Sequence, residues 1–446
     1  MRITTCIFTF LLLAGCFLSC KKDSSTTPPA DPPAVTQITT ASGTLSGPKN
    51  TQVTITGTNL PTDPSKIVVT INGNVCTVVS ASATAIVVKV PPYCGTGNIV
   101  MSFNGVITNG PVFNYVYTYG LTSITNGING YLDGPIATAQ WEETSGLCVD
   151  TANNIFTSGY TKPVVRKITA DLLTASTLAG DRTVGDVNGL GTAAKLGNAD
   201  NISIDKNGTI YYADQSANKI KKIDKLGNVT TFIANAVLNN YPISAQVGSL
   251  GNVYVMGGDR SISKFNAAGV LQWKVKSHVT SGYGNSTDGD SSVVKFDDIT
   301  FGNTTIENGE TAIYFATFNL GGGAGTWASQ VKKLNLSTLN TTTLTGLATL
   351  AGATDGPALS ATFKLVTGLA LDATGGLYIS DGNNDRIRYL KNGTVSTVIG
   401  LAGSGDVDGP PATAKIIYPD GLALTSRGDL IIACVGNKKV KRLAID

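Results

Sequence analysis

Residues 131–141 read YLDGPIATAQW, an Asp-Gly turn followed by small residues and then by a tryptophan. An Asx-Gly pair starts four further copies, in which an Ala or Val lies six residues after the Asx and a bulky residue eight after it: Asn188, Asp288, Asp355 and Asp408. Asx and Gly fix a tight turn, a small residue permits close approach, and a large apolar residue fills the adjoining space. The recurrence predicts a repeat protein and favours a buried packing role for Trp141 over ligand stacking.

A second recurring block predicts a strand, a tight turn and another strand. Clear copies are GLCVDTANNIFTSG (146–159), NISIDKNGTIYYAD (201–214), GLALDATGGLYISD (368–381) and GLALTSRGDLIIAC (421–434), with a weaker copy at 243–258 and a stretched one at 298–318. A third strand follows each copy, and usually a fourth. Four strands per unit, repeated six times, indicate a six-bladed β-propeller.

These blocks resemble NHL repeats, from the Asp-Gly turn through YISDGNNDRIRYL (378–390), over about residues 119–446. The resemblance implies an NHL-repeat β-propeller, which we place at residues 118–446. The sequence given ends after the third strand of the last blade, whereas YTYGLTSITNG (117–127) precedes the first Asp-Gly turn as the other fourth strands precede theirs. We therefore expect residues 117–127 to complete the last blade and close the ring, which removes exposed sheet edges.

Residues 35–117 contain short alternating runs such as TQVTITGTNL and KIVVTINGN, separated by turn signals. Asn72-Gly73 and Asn104-Gly105 supply the positive φ that tight hairpins need. Such a segment without a helical period predicts an immunoglobulin-like sandwich, and it resembles an IPT/TIG domain. The predicted fold class is therefore all-β: an immunoglobulin-like IPT/TIG sandwich followed by a six-bladed NHL-type β-propeller.

The cysteines of this segment depart from the family pattern. Several IPT/TIG members carry one cysteine in the strand after the first Asn-Gly and another in the strand that ends before Pro. Cys76 stands in the first position, but Val88 stands in the second and Cys94 lies beyond the prolines. A Cys76–Cys94 disulfide and a pair of buried thiols therefore both stay open.

The N-terminus, MRITTCIFTFLLLAGCFLSCKKD, joins one Arg to an apolar run that is short for a membrane span, which predicts a signal peptide at residues 1–20. A cysteine ending such a run resembles a bacterial lipobox, in which Cys20, or alternatively Cys16, carries the lipid. The sequence around Cys20 resembles Bacteroidetes lipoproteins. Residues 21–34 have the Pro/Ser/Thr composition of a disordered tether. We expect a lipid-anchored protein of the cell envelope, on the outer membrane and surface-exposed; a soluble secreted protein is the alternative.

Composition argues against several function classes. The net charge is +3 and only 14% of residues are charged, so nothing points to a nucleic-acid partner. The single histidine, His278, excludes a His triad, a multi-His zinc site and a His acid/base pair. GGGAG (321–325) lacks the Lys-Ser/Thr of a phosphate loop, and TDGD (287–290) lacks calcium-loop spacing. We expect no catalytic residue, no metal and no cofactor.

Loops between the second and third strands should emerge on the same face as the connections into each first strand. Their polar residues are candidate ligand contacts, although their recurrence favours turn capping and loop pairing: Asp214, Asn218, Asp381, Asn383, Arg386 and Asn437. Departures from the repeat are stronger candidates. Trp327 lies in the Gly-rich stretch FNLGGGAGTWASQ (318–330), and Tyr283 lies in TSGYGNSTDGD (280–290). Exposed aromatic side chains stack on sugars or anchor protein partners, and the alternative is a loop that folds Trp327 down onto the propeller.

The resemblance to Bacteroidetes lipoproteins with IPT/TIG and repeat domains implies a surface binding component. We expect a non-catalytic propeller face that recognises a glycan or an envelope protein. A scaffold for envelope protein assembly is one alternative, and a propeller lyase or hydrolase is a less favoured one. Glycan recognition predicts Trp327 exposed beside a shallow polar groove, a scaffold predicts a wide apolar patch, and an enzyme predicts a deep axial pocket lined by acids with shifted pKa values.

Overall fold

The computed structural model describes residues 31–445, with the exception of 93, 117, 235–237, 239–240, 279–285, 296, 300–303 and 320–326. The expected signal peptide, Cys16, Cys20 and Tyr283 therefore lie outside the described residues. The chain divides into two compact units between Tyr115 and Val116. Within the described part of the chain, no helix has the length and hydrophobicity needed to cross a membrane.

The first unit is a β-sandwich. Its strands are β1 (Ala34–Thr40), β2 (Ser46–Gly47), β3 (Gln52–Thr58), β4 (Ile67–Ile71), β5 (Asn74–Val75), β6 (Thr77–Ala81), β7 (Ala85–Lys89), β8 (Gly97–Phe103) and β9 (Val106–Tyr115), with a 3-10 turn at Pro64–Lys66. One sheet has the order β1-β3-β7-β6 and the other β2-β9-β8-β4-β5. Alternate residues point inward, so that Val53 and Ile55 share one core with Val69 and Ile99, all fully buried.

The predicted hairpin turns are confirmed. Asn72 and Gly73 have φ values of 50° and 79° between β4 and β5, and Asn104 and Gly105 have values of 52° and 83° between β8 and β9. Two consecutive residues with positive φ match the twist of the flanking strands, which is why Asn-Gly is favoured there.

Cys76 and Cys94 are two separate, buried thiols in this structure. Burial raises the pKa of Cys76 to about 12 and that of Cys94 to about 11. Of the two alternatives that the sequence left open, the structure therefore holds the pair of thiols. A thiol with so high a pKa is almost entirely protonated at neutral pH and is a poor nucleophile.

Within its described residues, the second unit contains the remaining strands and 3-10 turns at Gly191–Ala193, Ala358–Ser360 and Gly382–Asn384. In chain order the strands are β10 (Tyr119–Ser123), β11 (Gly134–Pro135), β12 (Leu147–Val149), β13 (Ile155–Ser158), β14 (Val165–Ile168), β15 (Thr174–Ala179), β16 (Gly189–Leu190), β17 (Ile202–Ile204), β18 (Ile210–Asp214), β19 (Lys219–Ile223), β20 (Asn228–Ile233), β21 (Pro242–Val247), β22 (Val253–Gly257), β23 (Ser261–Phe265), β24 (Leu271–Lys276), β25 (Asp298–Ile299), β26 (Thr305–Ile306), β27 (Ala312–Asn319), β28 (Ala328–Asn335), β29 (Thr341–Gly346), β30 (Gly356–Pro357), β31 (Val366–Leu371), β32 (Leu377–Asp381), β33 (Arg386–Lys391), β34 (Thr394–Ile399), β35 (Pro419–Leu424), β36 (Leu430–Cys434) and β37 (Lys439–Ile445).

These strands form six sheets, the blades of a propeller. Blade 1 has the order β11-β15-β14-β13-β12, blade 2 β16-β20-β19-β18-β17, blade 3 β21-β22-β23-β24, blade 4 β25-β27-β28-β29 with β26 on β27, blade 5 β30-β34-β33-β32-β31, and blade 6 β10-β37-β36-β35. First strands of successive blades contact one another in a ring, from β12 through β17, β21, β26, β31 and β35 back to β12. The predicted fold class, a sandwich followed by a six-bladed propeller, is confirmed.

Ring closure also follows the prediction. β10 pairs antiparallel with β37, with Leu121 opposite Leu443. Blade 6 therefore takes its outer strand from the start of the propeller and its other strands from the end. Leu121 is fully buried in the core of blades 5 and 6.

The Asp-Gly turns are tied to buried cations on the third strands. The pairs are Arg166–Asp133 (2.7 Å), Lys332–Asp288 (3.0 Å), Arg388–Asp355 (2.6 Å) and Lys441–Asp408 (2.7 Å), and each cation is at most 3% exposed. In blade 2 Asn188 replaces the Asp, and Lys221 pairs with Asp186 at 2.7 Å instead. Blade 3 has no Asx-Gly turn, and Ser263 stands where the others carry the cation. Turn and cation are therefore lost together, which identifies them as one structural device.

Packing residues follow the same repeat. Trp141 is 1% exposed, and the Arg166 guanidinium carbon lies 3.9 Å from the centroid of its ring. Its counterparts Leu196, Phe363 and Ile416 are fully buried, whereas Phe296 lies outside the described residues. The stretch 131–141 thus has a structural packing role, as its recurrence predicts.

Candidate functional site

The loops after the second strands and the connections into the first strands lie on one face, called here the loop face. Asp214 and Asp381, the two carboxylates proposed from sequence, end second strands on this face and are fully buried. Asp214 accepts bonds of 2.9 Å from the backbone N–H groups of Gly197 and Ala217. Asp381 accepts 2.8 Å bonds from the Lys364 N–H and the Arg388 guanidinium. Both therefore hold loops together, the structural role that the sequence also allowed.

Burial raises the pKa of Asp381 to about 6, although its hydrogen bonds and Arg388 oppose that shift. Burial also raises the pKa of Asp214. A raised pKa in these two groups reports a low-dielectric position inside the fold and not an open catalytic site.

The other polar candidates are dispersed around the loop face. Asn437 accepts a 2.7 Å bond from the N–H of Ile417, and Arg386 donates a 3.1 Å bond to a backbone carbonyl. Asn218 has a φ of 54°, and Asn383 is exposed. These side chains support several separate loops, so the structure does not bring them together into one site.

Trp327 occupies a repeated backbone position. The residue just before the third strand has a left-handed φ in five blades: Asn218 (54°), Arg260 (60°), Trp327 (50°), Asp385 (54°) and Lys438 (52°). A bulky side chain is rare in this conformation and costs free energy, so the surrounding structure must impose it. In blade 5 the residue at this position contacts the following blade, since Asp385 accepts a 2.7 Å bond from the N–H of Tyr418. Trp327 is thus held on the loop face by the geometry of the repeat.

Trp327 forms one wall of a pocket between blades 3 and 4, called here the blade 3–4 pocket. Its ring stacks on that of Phe318, with centroids 5.6 Å apart and planes 20° from parallel. The pocket holds about 330 Å³ and is lined by Tyr241, Ile243, Gly258, Asp298, Ile299, Phe318 and Trp327. This volume falls within the range of small-molecule sites. The arrangement expected for a glycan, an exposed Trp327 beside a polar groove, is not what the structure shows: Trp327 is half-buried and lines a mostly apolar pocket.

Tyr241 is the second aromatic wall and is 42% exposed. It precedes β21 and packs against the backbone of Gly258, where an added Cβ would lie 2.2 Å from the ring carbon Cζ. The Gly258 N–H also donates a 3.0 Å bond to the carbonyl of Tyr241. Gly258 therefore leaves the space in which the Tyr241 ring lies.

Asp298 places a carboxylate at this pocket. Its Oδ1 accepts a 2.6 Å bond from Arg260 Nε, and the two side chains are 26% and 22% exposed. Arg260 stands in the left-handed position of blade 3, from which it reaches β25 of blade 4. The pocket thus combines two aromatic walls with an ion pair that solvent still reaches.

A second acidic feature lies nearer the propeller axis. Burial, together with repulsion from Glu143, raises the pKa of Asp200 to about 7, although Gln215 donates a 2.9 Å bond to it. Burial and the neighbouring Asp200 and Glu143 raise the pKa of Asp420 well above its usual range. Glu143 also borders a cavity of about 10 Å³, which neither Asp200 nor Asp420 lines. Within the described residues, no group of three His, Cys, Asp or Glu side chains is arranged to hold a metal ion.

The axial cavity is distinct from these acids. It holds about 180 Å³ and is lined by residues of all six first-strand regions, among them Leu147, Ile202, Gln246, Thr305 and Leu422. The enzyme alternative predicted a deep axial pocket lined by acids with shifted pKa values. The structure has such acids, but they are not among the residues that line the axial cavity.

Sequence reasoning found Trp327 but missed Tyr241, Arg260 and Asp298. One signal was present: the copies that depart most from the repeat are those of blades 3 and 4, and the pocket lies between those blades. The sequence did not show that these residues share one pocket, because they come from four separate segments of the chain.

Comparisons with known proteins agree with this architecture. The IPT/TIG domain family model matches residues 33–119, and no curated protein matches the chain. A solved protein of unknown function from Bacteroides thetaiotaomicron VPI-5482 has a TM-score of 0.65 at 18% identity, covering 94% of this chain and 99% of that one. Auxiliary nutrient binding proteins from Bacteroides ovatus ATCC 8483 and B. thetaiotaomicron VPI-5482 have TM-scores of 0.62 and 0.55, each at 16% identity and with the same coverage.

These likenesses define a class of fold. The protein combines a sandwich that the IPT/TIG domain model matches with a six-bladed propeller, and its fold is similar to that of solved Bacteroides structures over nearly their whole length. At sequence identities below 20%, the structural similarity supports a shared fold and does not identify a ligand.

Proposed function

We propose that this chain is a non-catalytic binding protein of the cell envelope that captures a glycan in the blade 3–4 pocket. The observation that carries the proposal is the pairing of Tyr241 and Trp327 as aromatic walls of a cavity of about 330 Å³. Aromatic walls stack on the apolar face of a sugar ring, and a cavity of this size suits a small ligand better than a broad protein surface. Two proteins of similar fold named auxiliary nutrient binding proteins support a capture role.

The proposed location is the outer membrane, with the protein exposed at the cell surface. Its support is the N-terminal sequence, in which Cys20, or alternatively Cys16, ends an apolar run and would carry the lipid. A polar tether over residues 21–34 would then hold the folded units away from the bilayer.

The absence of catalysis is part of the proposal. The single histidine, His278, is exposed, and its Nε2 lies 3.0 Å from the carbonyl oxygen of Ser291. Asp200 and Asp420 do not line the blade 3–4 pocket. The pocket lining offers stacking surfaces and one ion-paired carboxylate, which suits binding better than hydrolysis or elimination.

A protein partner is the second candidate. The apolar floor of the pocket, Ile243, Ile299 and Phe318, would equally accept the aromatic or aliphatic side chain of an envelope protein. In that case the propeller would act as a scaffold for envelope assembly.

The test is a glycan array followed by calorimetric titration of the full chain with the glycans that bind. Trp327→Ala and Tyr241→Ala should each weaken binding about tenfold or more, because each removes one stacking surface. Trp273→Ala is the matched control, since Trp273 packs near Tyr254 in blade 3 and does not line the pocket. A silent array together with retention of an envelope protein would favour the scaffold. Glycan binding that is unchanged in Trp327→Ala would contradict the proposed site.

A further inference from the structure

Among the described residues that line the blade 3–4 pocket, Asp298 is the one that carries a formal charge. Two chemical classes of ligand fit aromatic walls beside a carboxylate. Organic cations bind over aromatic faces and are attracted by the carboxylate. Neutral rings with hydroxyl groups stack on the same faces and donate hydrogen bonds to the same oxygens.

The ion pair with Arg260 favours the neutral ligands over the cations. The Arg260 Nε lies 2.6 Å from Asp298 Oδ1, so that the charge of the carboxylate is balanced before any ligand arrives. A cation entering the pocket would meet a carboxylate whose charge Arg260 already balances. A hydroxyl group needs no net charge to bind a carboxylate, which has about four acceptor positions, and Arg260 Nε donates to Oδ1 of Asp298.

The position of Arg260 makes the pairing specific to this pocket. Its φ of 60° belongs to the repeated position before the third strand, which Lys438 occupies in blade 6 with a φ of 52°. Lys438 donates a 2.9 Å bond to Asn129, a neutral group. Of the five residues at this repeated position, Arg260 is the one that pairs with a carboxylate of the blade 3–4 pocket.

We propose that Arg260 and Asp298 are the specificity-determining pair of the blade 3–4 pocket and restrict it to a neutral pyranose ring, one hydroxyl of which donates to the Asp298 carboxylate. This inference rests on the proposed function. Arg260 acts as a positioning residue, because its bond to Oδ1 orients the carboxylate, while Asp298 contacts the ligand.

The experiment titrates the full chain with a panel of methyl pyranosides, with the monodeoxy analogues of the one that binds best, and with tetramethylammonium. One deoxy analogue should bind at least about tenfold more weakly, and tetramethylammonium should not bind. Asp298→Asn should weaken pyranoside binding about tenfold while leaving Trp327 in place. Arg260→Gln should weaken pyranoside binding and give measurable tetramethylammonium binding, because the carboxylate then carries an unbalanced charge.

Lys438→Gln is the matched control, since it changes the same backbone position in blade 6, and it should leave both ligands unaffected. Melting curves of all variants report folding, and Asp298→Asn keeps the test decisive if Arg260→Gln is unstable. Loss of pyranoside binding in Trp327→Ala with unchanged binding in Asp298→Asn and in every deoxy analogue would overturn the role of the pair and leave the proposed function intact. A parent chain that binds tetramethylammonium and no pyranoside would overturn both.

Discussion

Asp200 is a carboxylic acid that the fold buries where its ionised form is unfavourable. Its pKa of about 7, raised mainly by burial, exceeds the ordinary value of 3.8. A folded-state pKa above the unfolded one means that the neutral form stabilises the fold at low pH. That stability is lost as pH rises from about 4 to about 7, because the group must then ionise inside the protein.

Asp200→Asn should therefore stabilise the protein in a pH-dependent way. We expect its melting temperature to exceed that of the parent by about 2–5 °C at pH 8, corresponding to about 1–2 kcal/mol. At pH 4 the two proteins should melt at nearly the same temperature, because Asp200 is neutral in the folded parent. Thermal melts followed by circular dichroism measure this, and a difference that does not change with pH would rule the interpretation out.

Gly258 offers a test of pocket geometry that spares the fold. An added Cβ would lie 2.2 Å from the Tyr241 ring, and the φ of Gly258 is not in the left-handed region, so Gly258→Ala should displace the ring at little backbone cost. We expect ligand affinity to fall about tenfold while the melting temperature changes by less than about 2 °C. Gly120→Ala, at a position with open space around the Cβ, is the control. Unchanged affinity in Gly258→Ala would mean that the Tyr241 ring does not contact the ligand.

At the scale of elements, the Asp-Gly turn and the third strand form a unit. Lys332 is fully buried and pairs with Asp288 at 3.0 Å, and the buried Asp297 also attracts its ammonium group. Lys441 is equally buried but has two partners, Asp408 at 2.7 Å and Asp406 at 2.6 Å. Asp288 and Asp408 each accept one further 2.7 Å bond from a backbone N–H.

Asp288→Ala should therefore cost more stability than Asp408→Ala. Removing Asp288 deprives the buried Lys332 ammonium of its hydrogen-bonded carboxylate, although Asp297 still attracts it, and should cost up to about 3–5 kcal/mol. Asp406 continues to pair with Lys441 at 2.6 Å and limits the cost of Asp408→Ala to about 1–2 kcal/mol. Urea unfolding followed by tryptophan fluorescence gives both values. Equal losses would show that the turn, and not the ion pair, carries the stabilisation.

The elements themselves were largely predictable from the sequence. Asx-Gly turns, small residues and bulky apolar residues recur at fixed offsets, and each offset reports the same packing position. The partners of Asp133 and its relatives were not predictable in this way, because Arg166 and the other cations lie on a strand that is distant in sequence. The repeat also clarified the role of Trp141. Taken alone, its indole suggests a ligand contact, but comparison with Leu196 and Phe363 at the same repeat position identifies it as a core residue.

At the scale of the whole molecule, the ring depends on β10 pairing with β37. Leu121 is fully buried in the joint, whereas its neighbour Thr122 is exposed. Leu121→Asp places a charge inside the core of blades 5 and 6 and should lower stability by about 3–5 kcal/mol. Thr122→Asp should change it by less than about 1 kcal/mol. Melting curves and limited proteolysis measure the difference, and comparable stability of the two variants would contradict closure at this strand.

The sequence predicted the number of blades and the closure because these depend on a repeated pattern. The blade 3–4 pocket depends on where the pattern fails, and Tyr241, Gly258, Asp298 and Trp327 come together only once the blades stand side by side. Trp327 was identified because it breaks the repeat. Arg260 was not, because its role follows from a left-handed backbone position that is visible only in the structure.

The most direct test of the binding site uses the three tryptophans of the chain, Trp141, Trp273 and Trp327. The full chain labelled with 5-fluorotryptophan should give three fluorine resonances, assigned by single Trp→Phe substitutions and followed during titration with a methyl pyranoside that binds. If the blade 3–4 pocket is the site, the Trp327 resonance shifts and saturates with the calorimetric affinity while the other two stay in place. Saturation of binding with the Trp327 resonance unmoved would place the ligand elsewhere and contradict the account.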